Sequence, residues 1–333
     1  MKKIINHKAD IIEDMFQGIA FNYQDLLTRI GRTGIFYSKK WARDRVAVIG
    51  GGGSGHEPTD TGYVGDGMLT AAVCGELFTP PKAELITRAI KEVAGPEGVL
   101  LVVKNFKADI EAFNQAAQWA KQEGIPVEMV IVADDISTER LDRKTYALTR
   151  RGVAGTVFVQ KIIGAAAASG LRLPELKNLG DQVVEATKTL GVALSPSTIT
   201  NQDKVLFSLQ EDEIYFGIGI HGEPGYRIEK MHSSERLAIE LMNKLKNAFA
   251  WKKGETFAIM VNGLGSTPLM DQFIFVNDVG RLIGLYGLKT PIRKTGNYMT
   301  SNDMYGISLT FLRLADPQWL RYLQMPTDAY AWK

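Results

Sequence analysis

Residues 46–58 read VAVIGGGGSGHEP and residues 99–109 read VLLVVKNFKAD. Each is a short apolar run that ends in a glycine-rich or polar segment. Uninterrupted runs of this length fit strands buried on both faces of a parallel sheet, with ligand-facing side chains in the loops at their carboxyl ends. The alternation continues outward: helical patterns are expected around 83–94 and 110–123, and VEMVIVADD (127–135) reads as a further strand. The first half is α/β.

After Gly152, VAGTVFVQKIIGAAAASG (153–170) is dense in Ala and Gly and predicts a tightly packed helix ending at Gly170, with a face suited to another subunit. A second unit follows, with helix LGDQVVEATKTLG (179–191), strand VALS (192–195) and the segment EIYFGIGIHG (213–222). Then come a charged helix SERLAIELMNKLKNAF (234–249), strand TFAIMVNGLG (256–265), a helix after Pro268 and a closing strand ISLTFLRL (307–314). The expected architecture is two α/β domains, 1–185 and 186–333, with no internal repeat.

The 333 residues are 45% hydrophobic and 23% charged, enough for two cores without staples. Thirty-nine basic and 37 acidic side chains leave a net charge of +2, spread along the chain, which argues against direct nucleic-acid binding. Cys74 is the single cysteine, so no internal disulfide can form; it reads as a small buried hydrophobe in a reducing compartment. The amino end, MKKIINHKADIIEDMF, lacks a signal-peptide core, and no run approaches a membrane span. A cytoplasmic protein is expected.

Two of the four histidines stand in glycine-dense segments with nearly the same ending, GGGGSGHEP (50–58) and GIGIHGEPG (217–225). Glycine lets the backbone approach a ligand, so His56 and His221, with Glu57 and Glu223 beside them, read as one titratable cluster in a polar pocket. His7 and His232 have no such setting and are expected in solvent. GGGGSG follows a strand like a phosphate loop, but His56 and Glu57 stand where a nucleotide loop needs Lys and Ser or Thr. No cofactor is expected on this chain. Asp109 is either a general base or the N-cap of the helix after it, and both roles can coexist. Asp134 and Asp135 lack a third ligand at a metal-binding spacing and read as turn or capping residues.

GGGGSGHEP, GYVGDGML, AAVCGELFT, KNFKAD, RRGVAGTV, GIGIHGEPG, VNGLGSTPL and NYMTSNDM together resemble successive signatures of the dihydroxyacetone kinase substrate-binding subunit family, DhaK, over nearly the whole chain. The resemblance implies a homodimer that binds dihydroxyacetone covalently. In it, the position of His221 attacks the carbonyl carbon to give a hemiaminal, and those of His56 and Asp109 assist proton transfer. Lys104 and the main chain of Gly53, Ser54 and Gly55 line the pocket. The family's phosphoryl donor, ADP-borne or ATP, belongs to a separate subunit, DhaL.

Several loops depart from the kinase pattern. Phe78, Thr79, Pro80 and Pro81 replace FTSP; KNFKAD replaces KNYTGD, which puts Lys107 and Ala108 before Asp109; STITNQDKVLF (197–207) replaces a Gly-Lys-Pro stretch; and Ala133 shortens a triple Asp. Retained capture residues with altered transfer loops resemble the family's non-kinase coactivator, DhaQ, which partners a TetR-type regulator, DhaS. A divergent kinase subunit acting with a DhaL-like partner is the alternative.

Overall fold

The computed structural model describes residues 2–138 and 150–332. Strands β1 (Leu27–Arg29), β2 (Ile35–Ser38), β3 (Ala47–Ser54), β4 (Ala71–Leu77), β5 (Val99–Lys104) and β6 (Val127–Val132) form one sheet in the order β1-β2-β4-β3-β5-β6. The last four strands of that order run parallel, and β1 and β2 close the other edge antiparallel. Every residue of β5 is buried, as its unbroken apolar run requires.

The helices are α1 (Ile11–Asn22), α2 (Ala83–Val93), α3 (Lys107–Gln122), α4 (Thr156–Ala168), α5 (Leu173–Glu185), α6 (Ser234–Phe249), α7 (Leu269–Tyr286) and α8 (Pro317–Gln324). α2 and α3 pack on one face of the first sheet. The loop after β3 leaves toward the opposite face, where Tyr63, Val64 and Leu69 join α4. β3 and β5 therefore send their loops apart, and a crevice opens at their carboxyl ends, the topological switch point of such a sheet.

A second sheet has the order β11-β10-β7-β14-β12-β13. It comprises β7 (Thr187–Ala193), β10 (Glu213–Phe216), β11 (Arg227–Lys230), β12 (Thr256–Gly263), β13 (Lys289–Gly296) and β14 (Gly306–Arg313), with a small hairpin of β8 (Thr198–Ile199) and β9 (Lys204–Val205) beside it. α6 and α7 cover its outer face. Between the sheets lies a shared middle layer. Val48, Val102 and Val130 of the first sheet, Val157, Phe158 and Ile162 of α4, and Ala258, Met260 and Leu312 of the second sheet form one apolar cluster. The chain is thus layered as helices, sheet, helices, sheet, helices.

Two sequence expectations are corrected here. The small-residue helix α4 is no subunit face, because the chain itself buries it: Val157, Ile162 and Ala166 are all 0% exposed. Gly164 serves close packing instead, since a Cβ there would fall 2.0 Å from the Met68 carbonyl oxygen. Residues 187–191, assigned to a helix from sequence, are strand. Thr187 and Thr189 are β-branched and buried, β7 pairs with both β10 and β14, and α5 ends at Glu185. The final segment returns to the first sheet: Tyr330 stacks on Tyr23 at 3.6 Å and Ala331 N donates to Gly62 O at 2.9 Å. Among the described residues no helix is long and apolar enough to cross a membrane.

Candidate functional site

The β3–β4 ladder shifts register at its end: Gly52 pairs with Cys74 but Ser54 with Leu77, so β4 carries one extra residue opposite Gly53. Gly52 has φ +151°, and a Cβ on it would lie 3.1 Å from Lys104 Nζ and 3.2 Å from Asp109 Oδ1. A glycine is what lets both polar heads gather above the end of β3. Ser54 Oγ points elsewhere, donating to Gly75 O at 2.6 Å.

Lys104 is the last residue of β5, 2% exposed, and its Nζ donates to Gly51 O at 2.7 Å and to Asp60 Oδ2 at 2.8 Å. Gln160 of α4 donates to the other Asp60 oxygen at 2.6 Å. Asp109 is not the N-cap of α3; Phe106 holds that position and Asp109 lies in the first turn. Its Oδ1 is buried with no hydrogen-bond partner. Burial raises its pKa, against the opposing pull of Lys104 and His221. A desolvated carboxyl with an open acceptor, at the positive end of a helix, suits a hydroxyl group.

His56 is buried, and the segment 298–302 holds it in place. Its Nδ1 lies 2.7 Å from Thr300 O, Thr300 N donates back to His56 O, and Asn302 N donates to Gly55 O at 2.7 Å. A carbonyl only accepts, so His56 Nδ1 carries a proton and Nε2 faces the pocket. That Nε2 lies 2.9 Å from His221 Nε2. Burial, then the neighbouring imidazole and Lys104, push His56 well below the usual histidine range, against the Thr300 hydrogen bond. Glu57 turns back to accept from Gly55 N with both oxygens at 3.0 and 3.1 Å, and burial raises its pKa.

His221 follows β10 in a loop, with its side chain 21% exposed. Its Nδ1 lies 2.8 Å from Glu223 Oε1 and its main-chain N donates to Oε2 at 3.1 Å. Burial, the largest single influence, would raise Glu223, but the hydrogen bond and charge of His221, its main-chain hydrogen bond and the Arg151 charge together hold the carboxyl below its usual range. An ionised carboxylate fixes the proton of His221 on Nδ1. With both Nδ1 atoms turned to acceptors, the two Nε2 atoms face each other across the pocket. Phe78 and Phe106 wall the imidazole edge-on, at 5.7 and 4.6 Å between ring centroids. The arrangement presents a nitrogen nucleophile, a proton carrier in contact with it and a buried carboxyl close by.

His56, His221, Lys104 and Asp109 come together at the carboxyl ends of β3 and β5, with Gly52 beside Lys104 and Asp109 and Gly53 against Phe78 and Thr79. Thr300, Ser301, Phe106 and Arg151 were not singled out. The first two act through the carbonyl that receives His56 and through Ser301 Oγ, which donates to Ile220 O at 2.5 Å. Asp134 accepts from Val153 N and Gly155 N, both at 2.8 Å, and burial pushes it up to about 6. Both it and Asp135, which accepts from Ser137 N, are capping residues. His7 is exposed, whereas His232, expected in solvent, is half-buried with Nε2 3.7 Å from Glu229. Cys74 is buried, its thiol pushed up to about 12. Among the described residues, no three His, Cys, Asp or Glu side chains converge as a metal site.

The Dak1 domain family model matches residues 17–331. The chain is 46% identical over 331 residues to the dihydroxyacetone-binding subunit DhaK of a PTS-dependent dihydroxyacetone kinase from Lactococcus lactis, covering 99% of each chain. It is 48% identical over 332 residues to the DhaKLM operon coactivator DhaQ of the same organism, covering 99% of this chain and all of that one. The solved structure of a dihydroxyacetone kinase operon co-activator, DhaQ, superposes with a TM-score of 0.91 at 48% identity, covering 96% of this chain and 98% of that one. The native kinase of C. freundii gives a TM-score of 0.86 at 31% identity, over 99% of this chain and 60% of that longer one. With the model match spanning both sheets and the histidine pair between them, the chain belongs to the Dak1 family, with the dihydroxyacetone-binding subunit DhaK and the coactivator DhaQ among its relatives.

Proposed function

We propose that this protein captures dihydroxyacetone as a covalent hemiaminal on His221 and acts as a ligand-sensing coactivator, a homodimer partnering a TetR-type transcription regulator of a dha operon. The observation that carries the capture step is the 2.9 Å contact between the two Nε2 atoms, each imidazole anchored through its Nδ1. In this reading one proton bridges the two Nε2 atoms; His56 takes it as the ligand enters, which frees the lone pair on His221 Nε2. That lone pair attacks the carbonyl carbon, the C=O π bond opens, and the proton passes from His56 to the new alkoxide. The imidazolium left on His221 keeps its Nδ1 proton against the Glu223 carboxylate. Asp109 Oδ1 and Lys104 are placed to receive the sugar's hydroxyl and oxygen groups.

A covalent bond is what so small a ligand needs. Six heavy atoms at no more than about 1.5 kcal/mol each leave little affinity once immobilisation is subtracted. Glycerol has the same two terminal hydroxyls but a third in place of the electrophilic carbonyl, so it is rejected by chemistry rather than shape.

The sensor reading is supported by where the sequence departs from the kinase pattern. Lys107 opens α3 two residues before Asp109 and is exposed, at the edge of the pocket where a phosphorylated donor subunit would dock. No nucleotide is assigned to this chain in either reading. The alternative, a binding subunit of a PTS-dependent kinase served by a DhaL-like ADP-bearing partner, draws on the retained Asp109 carboxyl and the 46% identity to DhaK. Incubation with a competent donor subunit, its phosphoryl source and dihydroxyacetone separates the two. The coactivator gives no triose phosphate above the donor alone; multiple turnover establishes the kinase subunit instead.

A further inference from the structure

Arg151 lies in RRGVAGTV, outside the histidine loops, and is 7% exposed. Its guanidinium reaches from one half of the molecule into the other. On the first side, Nε donates to Asp135 Oδ2 at 2.8 Å, and Nη2 lies 2.7 Å from the same oxygen and 2.6 Å from Ser137 Oγ. On the second side, Nη2 donates to Gly217 O at 2.6 Å, and Nη1 to Glu223 O at 3.2 Å and Pro224 O at 3.4 Å. Gly217 and Glu223–Pro224 are the two feet of the loop that carries His221. One planar cation therefore ties both feet to the end of β6.

The loop is built around that cation. A Cβ on Gly219 would fall 2.7 Å from Nη1 and 1.9 Å from Glu223 Oε2, so any side chain there would displace the guanidinium and the carboxylate. Within the loop, Gly219 N donates to Glu223 O at 2.9 Å and Gly222 N to Gly219 O at 3.0 Å. Glu223, held by its carbonyl, holds His221 by its carboxylate. The line of contact runs from Asp135 through Arg151 to the main chain of Glu223, then through its side chain to the nucleophile.

We infer that Arg151 is a positioning residue for the covalent step, fixing the His221 loop so that Nε2 stays opposed to His56. The inference rests on reading His221 as the nucleophile. A lysine cannot replace it, because three donors at one point cannot span Gly217 and Glu223 while also pairing with Asp135. Displacing a nucleophile by about 1 Å can cost about 10²-fold in rate.

The test uses the intact protein and carbonyl-labelled dihydroxyacetone, following conversion of the carbonyl carbon to a tetrahedral carbon by NMR. In parallel, the ligand-free protein is examined for the Nδ1 proton of His221, assigned by its disappearance in His221→Ala and its shift in Glu223→Gln. Arg151→Lys is expected to form adduct 10- to 100-fold more slowly at saturating ligand, with a displaced pH profile, and to shift the Nδ1 proton. Arg151→Ala is expected to regain part of the rate with added methylguanidine. Ser137→Ala and Asp135→Asn, each removing one tether of the guanidinium, serve if Arg151→Lys does not fold; both should slow the reaction by lesser factors. Wild-type rates and an unmoved Nδ1 signal in the folded variants overturn the inference. If the wild type itself forms no adduct, the capture reading fails, and the Nδ1 signal alone then decides whether Arg151 orients His221.

Discussion

The two histidine loops echo each other in sequence, yet they are held in opposite ways. The His56 loop leaves a parallel strand, is buried, and is fastened by main chain: Thr300 O on its ring, Thr300 N and Asn302 N on the carbonyls of His56 and Gly55. The His221 loop leaves an antiparallel strand near its sheet edge, keeps its ring partly in solvent, and is fastened by charge, through Glu223 on the ring and Arg151 on both feet. A main-chain acceptor cannot ionise, so it fixes one tautomer at every pH and leaves a weakly basic ring that passes protons on. A carboxylate stabilises positive charge, which is what a ring becomes when it forms a bond through its second nitrogen. The division of labour proposed for the two rings rests on the type of anchor.

The largest test of that asymmetry is removal of the rings themselves. His221→Ala should abolish the tetrahedral carbon signal with labelled dihydroxyacetone while His56→Gln retains it; equal loss in both would mean that the roles are not divided. His56→Gln should instead slow adduct formation by about 10²-fold, the usual scale of a lost proton carrier, as read by stopped mixing and quenching. The same variant sharpens the comparison through stability. His56 is depressed in the folded protein, so the unfolded chain binds the extra proton first. Stability therefore falls as pH drops below the unfolded histidine value of about 6.5 and rises again with pH. Denaturant titrations should show a shallower acid slope in His56→Gln than in wild type. The smallest effect expected is Ser301→Ala, which loses the bond to Ile220 O. A cost of about 1 kcal/mol is anticipated, seen as a lower denaturation midpoint with little change in adduct rate, because Arg151 still holds the loop.

The elements that were legible in the sequence are those whose own periodicity decides them. α6 spans Ser234–Phe249, the very stretch that reads as a charged helix, and β5 coincides with VLLVVK. Residues 187–191 were misread because Ala, Lys and Leu there and nearby favour a helix, and only the pairing of β7 with β10 and β14, over 20 and over 110 residues away, makes them strand. β13 was unread for a similar reason, whereas α8 was missed despite local signals, an Asp316 cap, Pro317 at its start and Trp319, Tyr322 and Leu323 on one face. In the site, glycine density and the repeated His-Gly-Glu-Pro and His-Glu-Pro endings marked both imidazoles and their carboxylates. The carbonyl of Thr300 left no such mark, since every residue has one. Arg151 stood in a recognised motif without a role, because its partners come from segments 135–137 and 217–224 that only the fold brings together.

The middle layer has a consequence for how occupancy of the pocket could be reported. A clamshell motion needs a slippery seam, and α4 fills the seam with a continuous apolar cluster joined to both sheets. Interfaces of that kind do not shear freely. On the capture reading proposed above, a message from the pocket would travel outward through local rearrangement at the rim, around the β8–β9 hairpin, whose neighbour Leu206 lies against Gly222. A regulator reading this protein would feel the contour of its surface, not a change in its silhouette.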